Sequence, residues 1–255
     1  MYLYKRFLDS PKNVGLALLW GISMALLLYS KYHGILIIGF TVLSNLKLFT
    51  QRNFYLAGIF GFILFFPHLY WQYANDFPSF RYHLVGRDDV YELKYTLNYL
   101  LNQVINFGPF IFPLAVIAVF KWKNKESFFR TSLFLVIGFI LFFFLMSFKG
   151  HVEPQWTIAV CFPLSILMYH YAGKHAKFDF WLKRAALVTF SLVLIIRVLI
   201  FIKLPIKANP FLNKVWVDDL AAYAEGNPIL MENSYRSASL YAFYTRKPIS
   251  TFTTI

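Results

Sequence analysis

Long apolar runs broken by short polar connections set the pattern of this chain. Residues 14–29, 33–49, 54–71, 97–120, 128–148, 156–171 and 181–202 are each dominated by Leu, Ile, Val, Phe and Ala. A helix needs about 20 mostly apolar residues to cross the hydrocarbon core of a bilayer. The pattern therefore predicts an all-α polytopic membrane bundle of about seven spans. The first two runs are short, and only residues 30–32 separate them. Two tight spans, or one span plus a re-entrant piece, both fit.

After residue 203 the pattern changes. Residues 217–225 read as a short helix, Gly226-Asn227-Pro228 as a turn, and 229–232 as a strand. Asn233 or Ser234 caps a further helix through Tyr244, and 248–252 reads as the next strand. This divides the chain into a transmembrane helical domain, residues 1–203, and the start of a small extracytoplasmic α/β unit, residues 204–255. One βαβ piece buries too little surface to stand alone, so the α/β unit reads as incomplete, cut at its C-terminus.

Composition agrees with a membrane chain. Of 255 residues, 58% are hydrophobic, 21% are aromatic and 30 are Phe. Soluble domains run nearer about 45–50% apolar, and the surplus needs lipid or other spans to cover it. The net charge of +13 would by itself suggest nucleic acid or an acidic partner. The charges instead fill the connections between spans, which argues against nucleic acid. Cys161 is the single cysteine, so no intrachain disulfide is possible.

The charges also orient the spans. Taking the connections alternately from the N-terminus, one set holds Lys5, Arg6, Lys12, Lys47, Arg52, Lys121, Lys123, Lys125, Arg130, Lys174, Lys177, Lys183 and Arg184. The other set holds only Lys31, Arg81, Arg87, Lys94 and Lys149. Cytoplasmic loops carry the Lys/Arg excess. The N-terminus is therefore expected inside, and the tail outside, of a plasma (inner) membrane.

Three polar groupings fall at the predicted outer ends. The first is the tight bend Ser30-Lys31-Tyr32-His33. The second is the loop 72–95, with Asp76, Arg81, His83, Arg87, Asp88, Asp89 and Glu92. The third is the run 149–156, which includes His151, Glu153 and Trp156. Lys, Arg and His at the membrane surface suit a phosphate held by charge-assisted hydrogen bonds. A carboxylate among them suits a general base, and Trp or Tyr suits stacking on a sugar or a lipid head. The competing reading is ordinary: lysines at helix ends snorkel, and Trp71 and Trp156 fit an aromatic belt. Within a span, Asn98, Asn102 and Asn106 share one helix face, and interhelical hydrogen bonding is the preferred reading. There is no P-loop, dinucleotide fingerprint, Cys/His metal pattern or nucleophile elbow, so no cofactor is expected and a metal has no support.

Several of these runs resemble a known group. LLYSKYHGILII (27–38) resembles the SKYT bend of bacterial membrane glycosyltransferases related to dolichyl-phosphate-mannose protein mannosyltransferases and lipid A aminoarabinose transferases. FFPHLYWQYANDFPSFRYHL (65–84) is similar to that group's pattern of Pro, aromatic-Trp, Asn-Asp and Ser-Phe-Arg. GHVEPQWTIAVCFP (150–163) resembles its Glu-Pro-Asn-Trp motif, with Gln155 in place of Asn. ENSYRSASLYAFYTRKP (232–248) also fits.

The resemblance implies a GT-C type enzyme that moves a sugar from a polyprenyl-phosphate carrier to a lipid, glycan or protein acceptor on the outer face, with inversion. The substrate site it implies comprises Lys31, Tyr32, His33, Arg81, His83, His151, Glu153 and Trp156. In the group the catalytic acidic residue lies in the first outer loop, several spans before the SKYT-like bend. Here only one span precedes that bend. The expectation is therefore a fragment without its catalytic loop, inactive by itself, and no catalytic base is assigned. A transporter or flippase of lipid-linked sugars, and a non-catalytic membrane scaffold, are the alternatives.

Overall fold

The structure is a computed structural model that describes residues 1–79, 81, 91–201, 215–232 and 235–252. The chain divides into two compact units, Met1–Phe190 and Ser191–Ile255.

The first unit is helical. Helix α1 (Tyr2–Asp9) leads into α2 (Val14–Ser30) and α3 (Gly34–Ser44). A 3-10 segment (Leu46–Thr50) then precedes α4 (Arg52–Ala74). Next come α5 (Leu93–Phe107), α6 (Phe112–Phe120) and α7 (Ser127–Met146). A second 3-10 segment (Pro154–Val160) opens α8 (Cys161–Ala172), and α9 (Ala176–Phe201) follows, running past Phe190 into the second unit. Asn13 caps α2 by accepting the Leu16 N–H at 3.0 Å, which meets one of the donors a helix start leaves open.

Two helices are by themselves long and apolar enough to cross a membrane among the described residues: α4, with 23 residues, and α7, with 20. A third joins them if α5 and α6 count as one bent span. Only 17% of the apolar window of α4 is buried. Ile59, Phe62, Ile63 and Phe66 therefore lie open on its surface, where water would be a poor solvent for them.

Two or three candidate spans stand where the apolar runs predict about seven, and the breaks have physical causes. The run 97–120 turns by 97° between α5 and α6. Gly108 takes φ +81 there, and Pro109 has no N–H to continue a helix. The run 33–49 breaks at Asn45. The 11 residues of α3 span about 16 Å at 1.5 Å per residue, half a bilayer core. The run 156–171 starts as a 3-10 segment after Pro154, which leaves α8 with 12 residues.

Close backbone contact joins α2 to α4. A Cβ on Gly21 would lie 2.6 Å from the Ala57 carbonyl oxygen, and one on Gly61 2.9 Å from that of Gly21. Beside this seam Trp20 packs on Phe7, Tyr4 and Phe54. A second core surrounds α7, where Leu135, Phe139 and Phe143 are buried. Tyr99 of α5 ties into it by donating to the Ile140 carbonyl at 2.6 Å.

At the end of the unit holding α1, a buried polar knot links three helices. The Thr131 hydroxyl lies 2.6 Å from that of Ser44 and 3.1 Å from that of Tyr4. Asn45 donates to Tyr4 at 3.4 Å. Thr131 is fully buried, so these partners replace the water it gives up on folding. On the surface nearby, the Lys5 ammonium sits 2.9 Å from Asp9 and 3.4 Å from Glu126. The Asp9 hydrogen bond, with Glu126 adding to it, holds the Lys5 ammonium above its ordinary range.

In the second unit α10 (Val215–Tyr223) is followed by a turn at Gly226, with φ +87. Strand β1 (Leu230–Glu232), helix α11 (Tyr235–Thr245) and strand β2 (Ser250–Phe252) complete the described part. The strands pair in parallel, with Leu230 opposite Ser250 and Glu232 opposite Phe252. A parallel pair needs a crossover between its strands, and α11 supplies one. Its expected cap, Asn233 or Ser234, lies outside the described residues.

Candidate functional site at one end of the helical unit

The turn between α2 and α3 packs on the C-terminal part of α4 through Tyr32, and on the C-terminal part of α7 and the second 3-10 segment through His33. Tyr32, in the turn between α2 and α3, is the node. Its hydroxyl lies 2.6 Å from His68 Nε2 and 3.2 Å from Ser79 Oγ. It also accepts a hydrogen bond from the Gln72 amide. Gln72 is fully buried. The same amide nitrogen donates to Ser79 Oγ at 2.8 Å, and Gln72 Oε1 accepts the Ser79 N–H at 3.4 Å. A tyrosine hydroxyl has one proton and accepts through its lone pairs. Whether Tyr32 donates to His68 or accepts from it follows the histidine tautomer.

Helix geometry puts His68 and Gln72 in place. They are four residues apart and share one face of α4. Pro67 just before them lies inside the helix and denies the Ile63 carbonyl its usual donor. The next carbonyl, Leu64, accepts from the Tyr29 hydroxyl at 3.1 Å. His68 is then boxed by rings: Phe65 at 5.2 Å, Tyr32 at 5.6 Å, Tyr29 at 5.7 Å and Trp71 stacked at 5.8 Å.

His33 faces the other way, into the core around α7. Its ring centroid is 5.0 Å from that of Trp156 and 5.2 Å from that of Phe143. Trp156 and Phe143 are themselves 5.7 Å apart. The 3-10 segment carrying Trp156 is pinned by Asn106, which donates to the Pro154 carbonyl at 2.6 Å. Ser147 at the end of α7 donates to Thr96 of α5 at 3.2 Å.

Of the residues expected at the site, Tyr32 enters the network with His68, Gln72 and Ser79, and its neighbour His33 packs against Trp156. Lys31 ends α2 with extended backbone, φ −165 and ψ 135. Its side chain is exposed and makes no ion pair with the described residues. His151 Nε2 lies 3.9 Å from Glu153 Oε1, both half-exposed, and the His151 ring is 6.3 Å from Tyr95. Arg81 is exposed and makes no side-chain hydrogen bond with the described residues. His83, Arg87, Asp88 and Asp89 lie outside the described residues. Glu92 pairs with Lys94 at 2.7 Å, and that hydrogen bond holds its carboxyl below the usual range. A carboxylate so stabilised is a weaker proton acceptor.

His68, Gln72 and Ser79 were not among the expected site residues. The available signal was two polar side chains at helical spacing inside an apolar run, which is costly in a membrane without partners. Among the described residues no three His, Cys, Asp or Glu side chains gather as metal ligands.

The arrangement presents an exposed cation, a part-buried hydroxyl–imidazole–amide network and an indole at one bundle end. That combination can hold an anionic head and stack on a ring. No family model, curated protein or solved structure matches the chain.

Proposed function

We propose that this chain carries the donor site of a membrane glycosyltransferase of the GT-C type. It would bind a polyprenyl-phosphate-linked sugar for transfer to a lipid, glycan or protein acceptor on the outer face of the membrane. The observation that supports this reading is convergence. Three runs that resemble that family, 27–38, 65–84 and 150–163, lie far apart in sequence and meet at Tyr32, His68, Ser79, His33 and Trp156.

In this reading Lys31 reaches the carrier phosphate from the exposed bend, as a compact charge with three donors. Tyr32 is held rigidly beneath it by His68 and Gln72. Trp156 offers a face to the sugar or the isoprenoid. His151, Glu153, Arg81 and His83 are assigned to the same substrate site. Inversion at the anomeric carbon needs a carboxylate base for the acceptor hydroxyl and cations for the departing phosphate. Lys31 is assigned the second task, and no residue is assigned the first. The topology that goes with the proposal has about seven crossings of the plasma membrane. The N-terminus lies inside, and the tail lies outside as part of a small α/β unit.

Photo-crosslinking tests the reading. A polyprenyl monophosphate with a diazirine beside the phosphate is added to the purified chain, and the adducts are mapped by peptide mass. Adducts are expected within 29–33, 68–79 and 151–156. Labelling confined to the opposite end, or equal labelling by the matching polyprenol, would refute it.

A further inference from the structure

A second concave site lies at the other end of the helical unit, among the connections richest in lysine. It is an open pocket of about 520 Å³, within the range of small-ligand sites. The C-terminal ends of α6 and α8 border it. Lys121, Lys123 and Lys174 supply charge at its walls, and Trp122, His170 and His175 supply rings.

The walls are fixed by contacts of their own. Trp122 Nε1 donates to the Asn124 carbonyl at 3.0 Å, which turns the indole polar edge inward to the chain. The His170 ring packs 4.3 Å from Phe129 and 5.4 Å from Trp122. His175 stacks on Tyr171 at 4.0 Å. An indole acting only as a belt residue would aim its N–H at the lipid head region.

The charge around the pocket is unbalanced. The nearby carboxylates are engaged elsewhere: Glu126 with Lys5 at 3.4 Å, and Asp179 with Lys183 at 2.6 Å. Lys121, Lys123 and Lys174 make no ion pair with the described residues. Two helix C-termini point here, each worth about half a negative charge. Three full ammonium charges outweigh them. The site is thus a positively charged pocket with aromatic walls.

We propose that this pocket binds a phosphate ester, presented by the headgroup of an anionic membrane lipid. A lysine-lined pocket between helix ends on the basic side of a membrane protein has the charge and shape for that group. The site is separate from the donor site at the opposite end. It requires only that the helical unit be membrane-embedded.

The test uses the full purified chain and native mass spectrometry, with phosphatidylglycerol and phosphatidylcholine as paired probes. Phosphatidylglycerol adducts are expected to be favoured by about tenfold or more, from roughly one factor of several per lysine. The triple variant Lys121→Gln, Lys123→Gln, Lys174→Gln should lose that preference. A charge-matched variant, Lys12→Gln, Lys125→Gln, Lys177→Gln, should keep it, and so should the pocket triple changed to Arg. All six lysines are exposed, so folding is expected to survive, and a thermal melt checks it. Glycerol phosphate at millimolar concentration serves as competitor. Persistence of the lipid adducts supports the lipid source. Their displacement keeps the phosphate chemistry but overturns the lipid assignment. Equal loss in both Gln triples, or no preference in the native chain, overturns the pocket itself.

Discussion

Tyr32 and His68 stand 36 positions apart, yet the tyrosine hydroxyl and the imidazole Nε2 are 2.6 Å from each other. That one contact fastens the turn between α2 and α3 to the C-terminal third of α4. Gln72, fully buried beside it, depends on the same hydroxyl.

Tyr32→Phe should therefore cost stability as well as function. It removes a partner from a buried amide and an imidazole, a loss of about 1–3 kcal/mol. The melting temperature of the detergent-solubilised protein should fall by several degrees, whereas Lys31→Gln, at an exposed bend, should leave it in place. Equal melting of Tyr32→Phe and the native chain would count against the network.

The α2–α4 seam gives a prediction with its own control. Gly21→Ala places a methyl 2.6 Å from the Ala57 carbonyl oxygen, and overpacking of this kind costs about 1–3 kcal/mol. Gly58→Ala, on the facing helix, meets nothing within 4 Å and should be neutral or stabilising by up to about 1 kcal/mol from helix propensity. A thermal melt of the two variants side by side checks the contrast, which disappears if the helices are further apart.

The polar knot at the opposite end should behave as a unit. Thr131→Val strips partners from both Tyr4 and Ser44, and about 1–3 kcal/mol should be lost with α1 loosened. Limited proteolysis is expected to release the first helix sooner in this variant. Ser165→Ala provides the comparison, because that hydroxyl is exposed and donates to the Cys161 carbonyl of its own helix.

How much of this was legible in sequence depends on how local the signal was. The tail elements could be placed because Gly226 and Pro228 punctuate them. The 97° break between α5 and α6 was also written locally, in Gly108-Pro109, but a 24-residue apolar run (97–120) reads as one span when length alone is counted. The asparagine face was partly readable. Asn106 does bond across to the Pro154 carbonyl, Asn98 is exposed, and Gln103 turns back on its own helix at Tyr99. The Tyr4–Ser44–Thr131 knot was not readable, because hydroxyls separated by up to 127 positions carry no spacing signal. His68 and Gln72 sat in a run quoted for its Pro and Trp, and their role appears only once Tyr32 is beside them.

Orientation can be checked with single cysteines, after replacing Cys161 by Ala. A cysteine at position 125 and another at 92 lie in connections of opposite class. In intact cells a membrane-impermeant maleimide should label position 92 and spare position 125 until the membrane is opened. Labelling of both at once would contradict the charge-derived orientation.

The most direct test of the donor site is the affinity of the purified chain for polyprenyl monophosphate, measured for the native protein, Lys31→Gln and Lys47→Gln. Losing a charge-assisted hydrogen bond costs about 1.5–3 kcal/mol, or roughly tenfold or more in affinity. Lys31→Gln should show that loss while Lys47→Gln, in the 3-10 segment near the opposite end, keeps native affinity. Unchanged affinity in a folded Lys31→Gln protein would contradict the account and leave Lys31 as a lysine that only snorkels to the surface.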